Sequence, residues 1–219
     1  MHNNVILSAI LTLATTSAIA ADGTLSCEGA AQNAKVEASL MKQGPGAAKR
    51  IGKHVLEVRV AGVTQRFADR PPYDQELAGT RWHYCGYDAA NRIHLLGKSV
   101  EDLFTGVLLF DGSGQQRKAG HTVYLAPDGA RFLAVEQHSG KDGEDWTLYA
   151  LSGKKLWTGY AGIVRSGADG DAVYAQYVHP SWNADASLSA KVSCSDTLKG
   201  KVTLRTTRHG LSWLPVPQC

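Results

Sequence analysis

Several features that identify common classes of protein are missing from this sequence of 219 residues. After the first twenty residues, no apolar run approaches the ~20 residues that a membrane-spanning helix needs. The catalytic signatures G-x-S-x-G, H-E-x-x-H and G-x-x-x-x-G-K-[ST] are also absent. The formal net charge of +3 is small against 23 basic and 20 acidic residues, so it indicates neither a nucleic-acid partner nor an anionic membrane surface. An enzymatic activity would have to depend on residues scattered along the chain.

Residues 1–20 have the features of an export signal. They contain no Lys, Arg, Asp or Glu, are apolar from Val5 to Ala14, and end with small residues at Ala18 and Ala20. This pattern is typical of a signal-peptidase site and predicts cleavage before Ala21. The basic residues usual in a signal peptide are missing, so a short membrane anchor is the alternative. We expect a protein of the periplasm or the cell exterior, with no membrane attachment after cleavage.

Four cysteines follow this leader: Cys27, Cys85, Cys194 and Cys219. An even number of cysteines in an exported chain favours two disulfides. Loop closure costs the least entropy between neighbours in sequence, which favours Cys27 with Cys85 and Cys194 with Cys219. Pairing of Cys27 with Cys219, which would tie the termini together, is the main competitor, and four free thiols are a further alternative.

The sequence between the cysteines is typical of short antiparallel strands. Segments rich in Val, Tyr, Leu, Phe and Trp recur between clusters of Gly, Asp, Asn and Ser. Helical periodicity is nearly absent, so residues 21–219 are expected to form a single all-β domain. The predicted strands are Ala34 to Met41, His54 to Ala61, Val63 to Ala68, Arg81 to Cys85, Arg92 to Lys98, Thr105 to Phe110, His121 to Leu125, Arg131 to Gln137, Trp146 to Leu151, Lys155 to Tyr160, Ala172 to His179, Ser187 to Ser193 and Lys201 to Thr207.

These segments repeat with a period of about forty residues. Tyr84 lies forty positions before Tyr124, Leu108 lies forty before Leu148, and two Ser-Gly pairs are thirty-nine apart. Each unit reads strand, Asp-Gly turn, strand, longer polar loop, strand, Ser-Gly turn, strand, which is a four-stranded meander. Residues 34–69 are interpreted as an earlier, degenerate copy whose last hairpin turns at an Ala-Gly pair. Four units of this length would fill the chain after the leader.

A single meander is unable to bury both of its faces, so the copies must stack or close into a ring, as in a β-propeller. The best-preserved unit, residues 121–160, contains YLAPDGARFLAV followed by WTLYALSGKKL. These segments resemble the Ser-Pro-Asp-Gly hairpin and outer strands of TolB-type propeller repeats, with Ala126 in place of the usual Ser. The resemblance implies blade-like structure and no particular activity. We expect a propeller-like fold, with a β-sandwich as the alternative.

Recognition residues are expected in loops on a rigid scaffold. The longest loop of the best-preserved unit, HSGKDGEDW, carries Asp142, Glu144 and Asp145, three carboxylates able to ligate Ca²⁺. Acidic loops are usually only solvated, so this metal site is the weaker interpretation. A second candidate is the proline-stiffened segment DRPPYDQE, for which a plain linker is the alternative. The predicted partner-binding residues are Tyr73, Tyr87, Glu136, His138, Asp142, Glu144, Asp145 and Trp182.

His83 and His121 each fall in the first strand of a unit, and such strands line the channel of a propeller. The alternative is that each is an ordinary hydrogen-bonded histidine. From these features we expect an exported, non-catalytic protein without a cofactor, which binds a protein partner through its loops, as enzyme inhibitors and toxin-immunity proteins do. The alternative is a periplasmic hydrolase with its site in the channel or at a metal on the acidic loop.

Overall fold

A computed structural model describes residues 23–73, 79–100, 103–137, 143–166, 172–195, 197–217 and 219. It contains 61% strand. The helices are α1 (Glu28–Gln32) and α2 (Ala34–Gln43). The strands are β1 (Thr24–Ser26), β2 (Ala48–Ile51), β3 (Val55–Val60), β4 (Val63–Ala68), β5 (Thr80–Asp88), β6 (Ile93–Val100), β7 (Leu103–Phe110), β8 (Gln116–Ala119), β9 (Thr122–Leu125), β10 (Arg131–Gln137), β11 (Glu144–Ala150), β12 (Lys155–Tyr160), β13 (Gly162–Ser166), β14 (Ala172–Trp182), β15 (Leu188–Cys194), β16 (Thr197–Thr207) and β17 (Gly210–Leu214).

The strands form four antiparallel sheets that follow one another along the chain. The first sheet has the order β2-β3-β4, the second β5-β6-β7-β8, the third β1-β9-β10-β11-β12 and the fourth β13-β14-β15-β16-β17. The second and third sheets contain the meanders that the forty-residue repeat predicts. The Pro-Asp-Gly segment joins β9 to β10, and the two Ser-Gly pairs join β7 to β8 and β11 to β12.

Consecutive sheets pack against each other because their strands are apolar on both faces. Successive side chains of a strand point to opposite faces. On β6, Leu96 packs with the first sheet and Leu95 packs with the third. On β7, Leu109 packs with the first sheet and Leu108 packs with the third. A third core joins the third and fourth sheets around Trp146.

The all-β class is therefore confirmed. In the described part of the chain, no closed barrel or propeller is evident, so that arrangement is not confirmed. The propeller-like arrangement remains a prediction.

The predicted strand from Ala34 to Met41 is wrong, because these residues form helix α2. The Asn33 side chain accepts a hydrogen bond from the backbone N–H of Lys35 at 2.9 Å and caps the helix. Most of the residues that follow, AKVEASLMKQ, have high helix propensity. The alternating Val36, Ala38 and Leu40 suggested a strand, but Val36 and Leu40 also have the i, i+4 spacing of one helix face.

Helix α2 covers the outer edge of β5, the strand predicted to line a channel. Glu37 is buried and accepts a hydrogen bond from the backbone N–H of Tyr84 on β5 at 2.7 Å. The same carboxylate accepts hydrogen bonds from Nε and Nη2 of Arg50 at 3.2 and 2.8 Å. The corresponding edge of β9 is covered by β1. The N-terminal segment thus occupies the edges of the first strands of the second and third meanders.

The two disulfides join Cys27 to Cys85 and Cys194 to Cys219, with Cα–Cα distances of 4.6 and 5.7 Å. The favoured pairing is confirmed, and both the Cys27–Cys219 pairing and the free thiols are wrong. Two disulfides indicate an oxidising, exported environment. Neither α1 nor α2, the helices of the described residues, has the length and apolar character needed to cross a membrane.

Candidate functional site

A cleft of about 430 Å³ opens between the third and fourth sheets, at the end of the sheets where the Pro-Asp-Gly turn lies. Its volume lies within the range of about 300–1,000 Å³ found for ligand-binding pockets. Leu148, Leu188 and Leu204 are buried and belong to the third core, whereas Leu156 is 38% exposed. The apolar lining consists of Leu148, Leu156, Ala186, Leu188, Leu204 and Leu211. The cleft therefore offers an apolar surface that continues into the protein core.

Trp182 forms one wall of this cleft at the end of β14. Its indole N–H donates to the backbone carbonyl of Tyr124 at 2.9 Å, which attaches the fourth sheet to the third. The Arg131 guanidinium lies over the indole ring, 5.4 Å from the centroid. Such a cation–π contact is favourable by about 0.5–2 kcal/mol. The orientation of Trp182 is thus fixed on both sides.

The Pro-Asp-Gly turn positions Arg131. Asp128 accepts a hydrogen bond from the backbone N–H of Ala130 at 2.9 Å and one from Nη2 of Arg131 at 3.2 Å. Nη2 also donates to the carbonyl of Ala186 at 2.8 Å, in the loop that follows Trp182. The turn of one sheet therefore holds the loop of the next sheet through a single guanidinium group.

Residues 183–187, the rim loop of the cleft, are ordered by their own side chains. Asn183 Nδ2 donates to the carbonyl of Ser187 at 3.1 Å and to its hydroxyl at 2.8 Å. The Asp185 carboxylate accepts hydrogen bonds from the Ser187 hydroxyl at 2.6 Å and from its backbone N–H at 3.0 Å. These bonds lower the pKa of Asp185, so the rim carries a fixed negative charge. The rim loop is therefore ordered by hydrogen bonds within the protein itself.

Of the predicted partner-binding residues, Trp182 lies in the cleft and the two tyrosines lie elsewhere. Tyr73 is 42% exposed beside the first sheet and stacks on His54, with ring centroids 3.8 Å apart. Tyr87 is half-buried on β5 and packs against His94 at 4.6 Å. These tyrosines flank opposite ends of β5, which are about 25 Å apart at ~3.3 Å per residue. They do not form one surface with Trp182.

The predicted acidic group is partly described. Glu136 and Asp145 are cross-strand partners on β10 and β11. Glu136 forms an ion pair with Lys118 at 3.2 Å, and Glu144 accepts a hydrogen bond from the indole N–H of Trp146 at 2.9 Å. His138 and Asp142 lie outside the described residues. Within the part of the chain that the structure describes, no three His, Cys, Asp or Glu residues are arranged to hold a metal ion.

His83 and His121 both lie near Phe104, with ring centroids 5.9 and 6.4 Å from it. Burial lowers the pKa of His83. His121 Nε2 is 3.8 Å from a carboxylate oxygen of Glu28, and its backbone carbonyl accepts from the N–H of Cys27 at 2.9 Å. The fold therefore brings the two histidines to the same aromatic ring, and His121 also contacts the N-terminal segment.

Sequence reasoning missed Arg131 and Asp185 as residues of the cleft. The available signals were local: an Arg two positions after a Pro-Asp-Gly turn, and an Asn-x-Asp-x-Ser loop directly after Trp182. Each predicts a turn and not a site. Arg131 and Asp185 come to the same cleft only through packing, as the hydrogen bond from Arg131 to a carbonyl fifty-five residues further along the chain shows.

Comparison with known proteins gives no relative for this chain: no protein-family model, no curated protein and no solved structure matches it.

Proposed function

We propose that this chain is an exported, non-catalytic binding protein that recognises a protein partner, and that the cleft beside Trp182 receives an apolar side chain of that partner. The observation that carries the proposal is the fixed Trp182–Arg131 wall above a floor of leucines. Trp and Arg are enriched among residues that dominate the energy of protein interfaces. Side chains that are ordered before binding lose less entropy on association.

An enzyme inhibitor or a toxin-immunity protein is the class of function that we favour within this proposal. The two disulfides support an oxidising, exported setting, and the predicted leader supports delivery to the periplasm or the cell exterior. Face-to-face packing of consecutive meanders supports a propeller-like relationship between the sheets. Such a scaffold would hold its rim loop rigidly toward a partner.

Affinity capture tests the proposal. Immobilised protein is exposed to periplasmic extract and culture fluid of its native host, and retained proteins are identified by mass spectrometry. We expect one partner to be retained, and the Trp182→Ala variant to bind it about 30-fold more weakly, corresponding to a loss of about 2 kcal/mol. The control is Tyr73→Ala, which removes an exposed aromatic ring away from the cleft and should leave affinity within about twofold.

Three outcomes would contradict this function. If the wild-type protein retained no other protein, the proposal that it recognises a protein partner would be wrong. If Trp182→Ala bound the partner as tightly as the wild type and Tyr73→Ala bound it more weakly, the partner would contact the first sheet and not the cleft. Turnover by the purified protein in a broad hydrolase screen would favour an enzyme.

A further inference from the structure

The first sheet has three strands, whereas each of the other sheets has four or five. Its last strand, β4, pairs with β3 along one edge. The connecting turn consists of Ala61 and Gly62, with φ values of 50° and 77°. This is the left-handed geometry of a two-residue type I′ hairpin. The predicted Ala-Gly turn of the degenerate first copy is thus confirmed, and among the described residues this copy has one strand fewer than a complete meander.

The hydrogen-bond pattern shows which groups of β4 face the open edge. The backbone N–H of Asp69 donates to the carbonyl of His54 at 2.8 Å. Hydrogen-bonded and non-hydrogen-bonded pairs alternate along an antiparallel ladder. It follows that the backbone groups of Thr64, Arg66 and Ala68 point away from β3.

One end of this edge is already used. Arg70, the next residue with outward-facing groups, exchanges backbone hydrogen bonds of 2.9 and 3.0 Å with Thr80. Thr64, Arg66 and Ala68 are exposed, and within the described ranges their outward N–H and C=O groups have no backbone partner. An open edge with three unused pairs of groups is a template for an added strand.

A cleft of about 360 Å³ lies beside this edge, on the face of the second sheet that packs against the first. Strand β4 borders it at two points. Phe67 packs against Trp82 with ring centroids 4.9 Å apart, and Gln116 Nε2 donates to the side-chain carbonyl of Gln65 at 2.8 Å. A strand added to β4 would therefore cover the cleft, as a fourth strand of the first sheet would.

The charge of the cleft selects the chemistry of such a strand. The cations that face it are Lys98 and Lys118, beside Trp82 and Val107, and its described lining contains no carboxylate. The guanidinium of Arg117 lies on the other face of the sheet, where it donates to the carbonyl of Ser152. Lys98 lies 5.6 Å from the centroid of the Trp82 ring, and Lys118, which pairs with Glu136 at 3.2 Å, is 66% exposed. Carboxylates facing this lining would meet two cations, while apolar side chains would contact Trp82 and Val107.

We propose that β4 is a docking edge for an extended, acidic segment of a protein partner, which adds to the first sheet as its fourth strand. Backbone hydrogen bonds to Thr64, Arg66 and Ala68 supply affinity, and the cationic cleft selects segments with acidic and apolar residues at alternate positions. This edge belongs to a different sheet from the Trp182 cleft, so the inference stands independently of the function proposed above.

The test uses a fluorescein-labelled octapeptide of alternating glutamate and valine, and the same peptide with lysine in place of glutamate. We expect micromolar binding of the glutamate peptide to the wild-type protein and at least tenfold weaker binding of the lysine peptide. Hydrogen exchange should slow at the amides of Thr64, Arg66 and Ala68 when the glutamate peptide is bound.

Two variants at one position provide the matched comparison. Thr64→Pro removes an outward-facing N–H without breaking a bond to β3, and should weaken peptide binding at least tenfold. Thr64→Val keeps the N–H and should bind as wild type does. Urea unfolding verifies that both variants are folded. If Thr64→Pro is unfolded, hydrogen exchange of the wild-type protein with bound peptide tests the proposal instead.

Absence of peptide binding would overturn the proposal, as would equal binding by Thr64→Pro and Thr64→Val. Protection of the same amides by dimerisation of the peptide-free protein would assign the edge to a second copy of this chain and also overturn it. Trp182→Ala should leave peptide binding unchanged, so failure of this inference is distinguishable from failure of the proposed function.

Discussion

His94 is the described residue whose burial has the clearest consequence for stability. It lies on β6 with no exposed surface, its Nδ1 is 2.9 Å from the Tyr84 hydroxyl, and its ring packs against Tyr87. Burial lowers the pKa of His94 from 6.5 to about 4, opposed in part by the negative charge of Asp111. The folded protein therefore holds His94 neutral at a pH where the unfolded chain is already protonated.

This difference predicts a loss of stability in acid. Between pH 6.5 and pH 4 the unfolded state binds a proton at His94 that the folded state does not, so stability falls as pH falls. The contribution is about 2 kcal/mol at pH 4.5. Urea unfolding at pH 7.5 and pH 4.5 measures it, with His94→Gln as the comparison. We expect the decrease to be smaller by about 2 kcal/mol in His94→Gln, and an equal decrease in both proteins would contradict this assignment.

Among the elements, β7 and β10 show how the second and third sheets come into contact. A Cβ atom at Gly106 on β7 would overlap the carbonyl oxygen of Gly120, and a Cβ atom at Gly120 would overlap the backbone of Val135 on β10. These glycines have φ values outside the left-handed region, so their role here is close backbone approach and not turn geometry. The spacing of the sheets is set by the absence of two side chains.

Replacing one of these glycines should separate the sheets. We expect Gly106→Ala to destabilise the fold by about 3 kcal/mol or more, because the clash is with backbone that has little freedom to move. Gly112→Ala is the matched control, since a Cβ atom there meets open space, and it should change the free energy of unfolding by less than about 0.5 kcal/mol. Urea denaturation measures both, and equal stability of the two variants would show that the sheets adjust freely.

At the scale of the whole molecule, the disulfides attach the termini to the sheets. Cys27–Cys85 closes a segment with a sequence separation of 58, and both cysteines are buried in the core between the second and third sheets. Cys194–Cys219 closes a separation of 25 and ends at an exposed residue. Chain entropy alone predicts stabilisation of about 4 and about 3.5 kcal/mol, respectively.

Paired alanine replacements test this ranking. The Cys27→Ala, Cys85→Ala protein should lose more stability than the Cys194→Ala, Cys219→Ala protein, because the first pair also leaves a cavity in the core. Urea unfolding of the two oxidised proteins gives the comparison. A larger loss of unfolding free energy in the Cys194→Ala, Cys219→Ala protein would contradict this ranking. It would show that the C-terminal disulfide contributes more to stability than the N-terminal one.

Sequence patterns predicted most of the longer strands with alternating or continuous apolar residues, and both disulfides. They missed the short strands β1, β2, β8, β13 and β17. The sequence of β8, QRKA, is that of a polar edge strand, and α2 was misread because its apolar residues fit a strand and a helix face alike. Trp182 was recognised as a loop aromatic, but its partner Arg131 was not. Their contact depends on the packing of two sheets, which local residue patterns do not encode.

The central claim is that the cleft between the third and fourth sheets contacts a protein partner, and photo-crosslinking tests it most directly. A photoreactive amino acid replaces Leu156 in the cleft or, as a control, Leu198. Leu198 is 52% exposed and lies about 26 Å along β16 from the cleft residue Thr206, at ~3.3 Å per residue. We predict one covalent adduct with a periplasmic or secreted protein from position 156, lost when Trp182 is also replaced by Ala, and none from position 198. No adduct from position 156, or an adduct that persists without Trp182, would contradict the account.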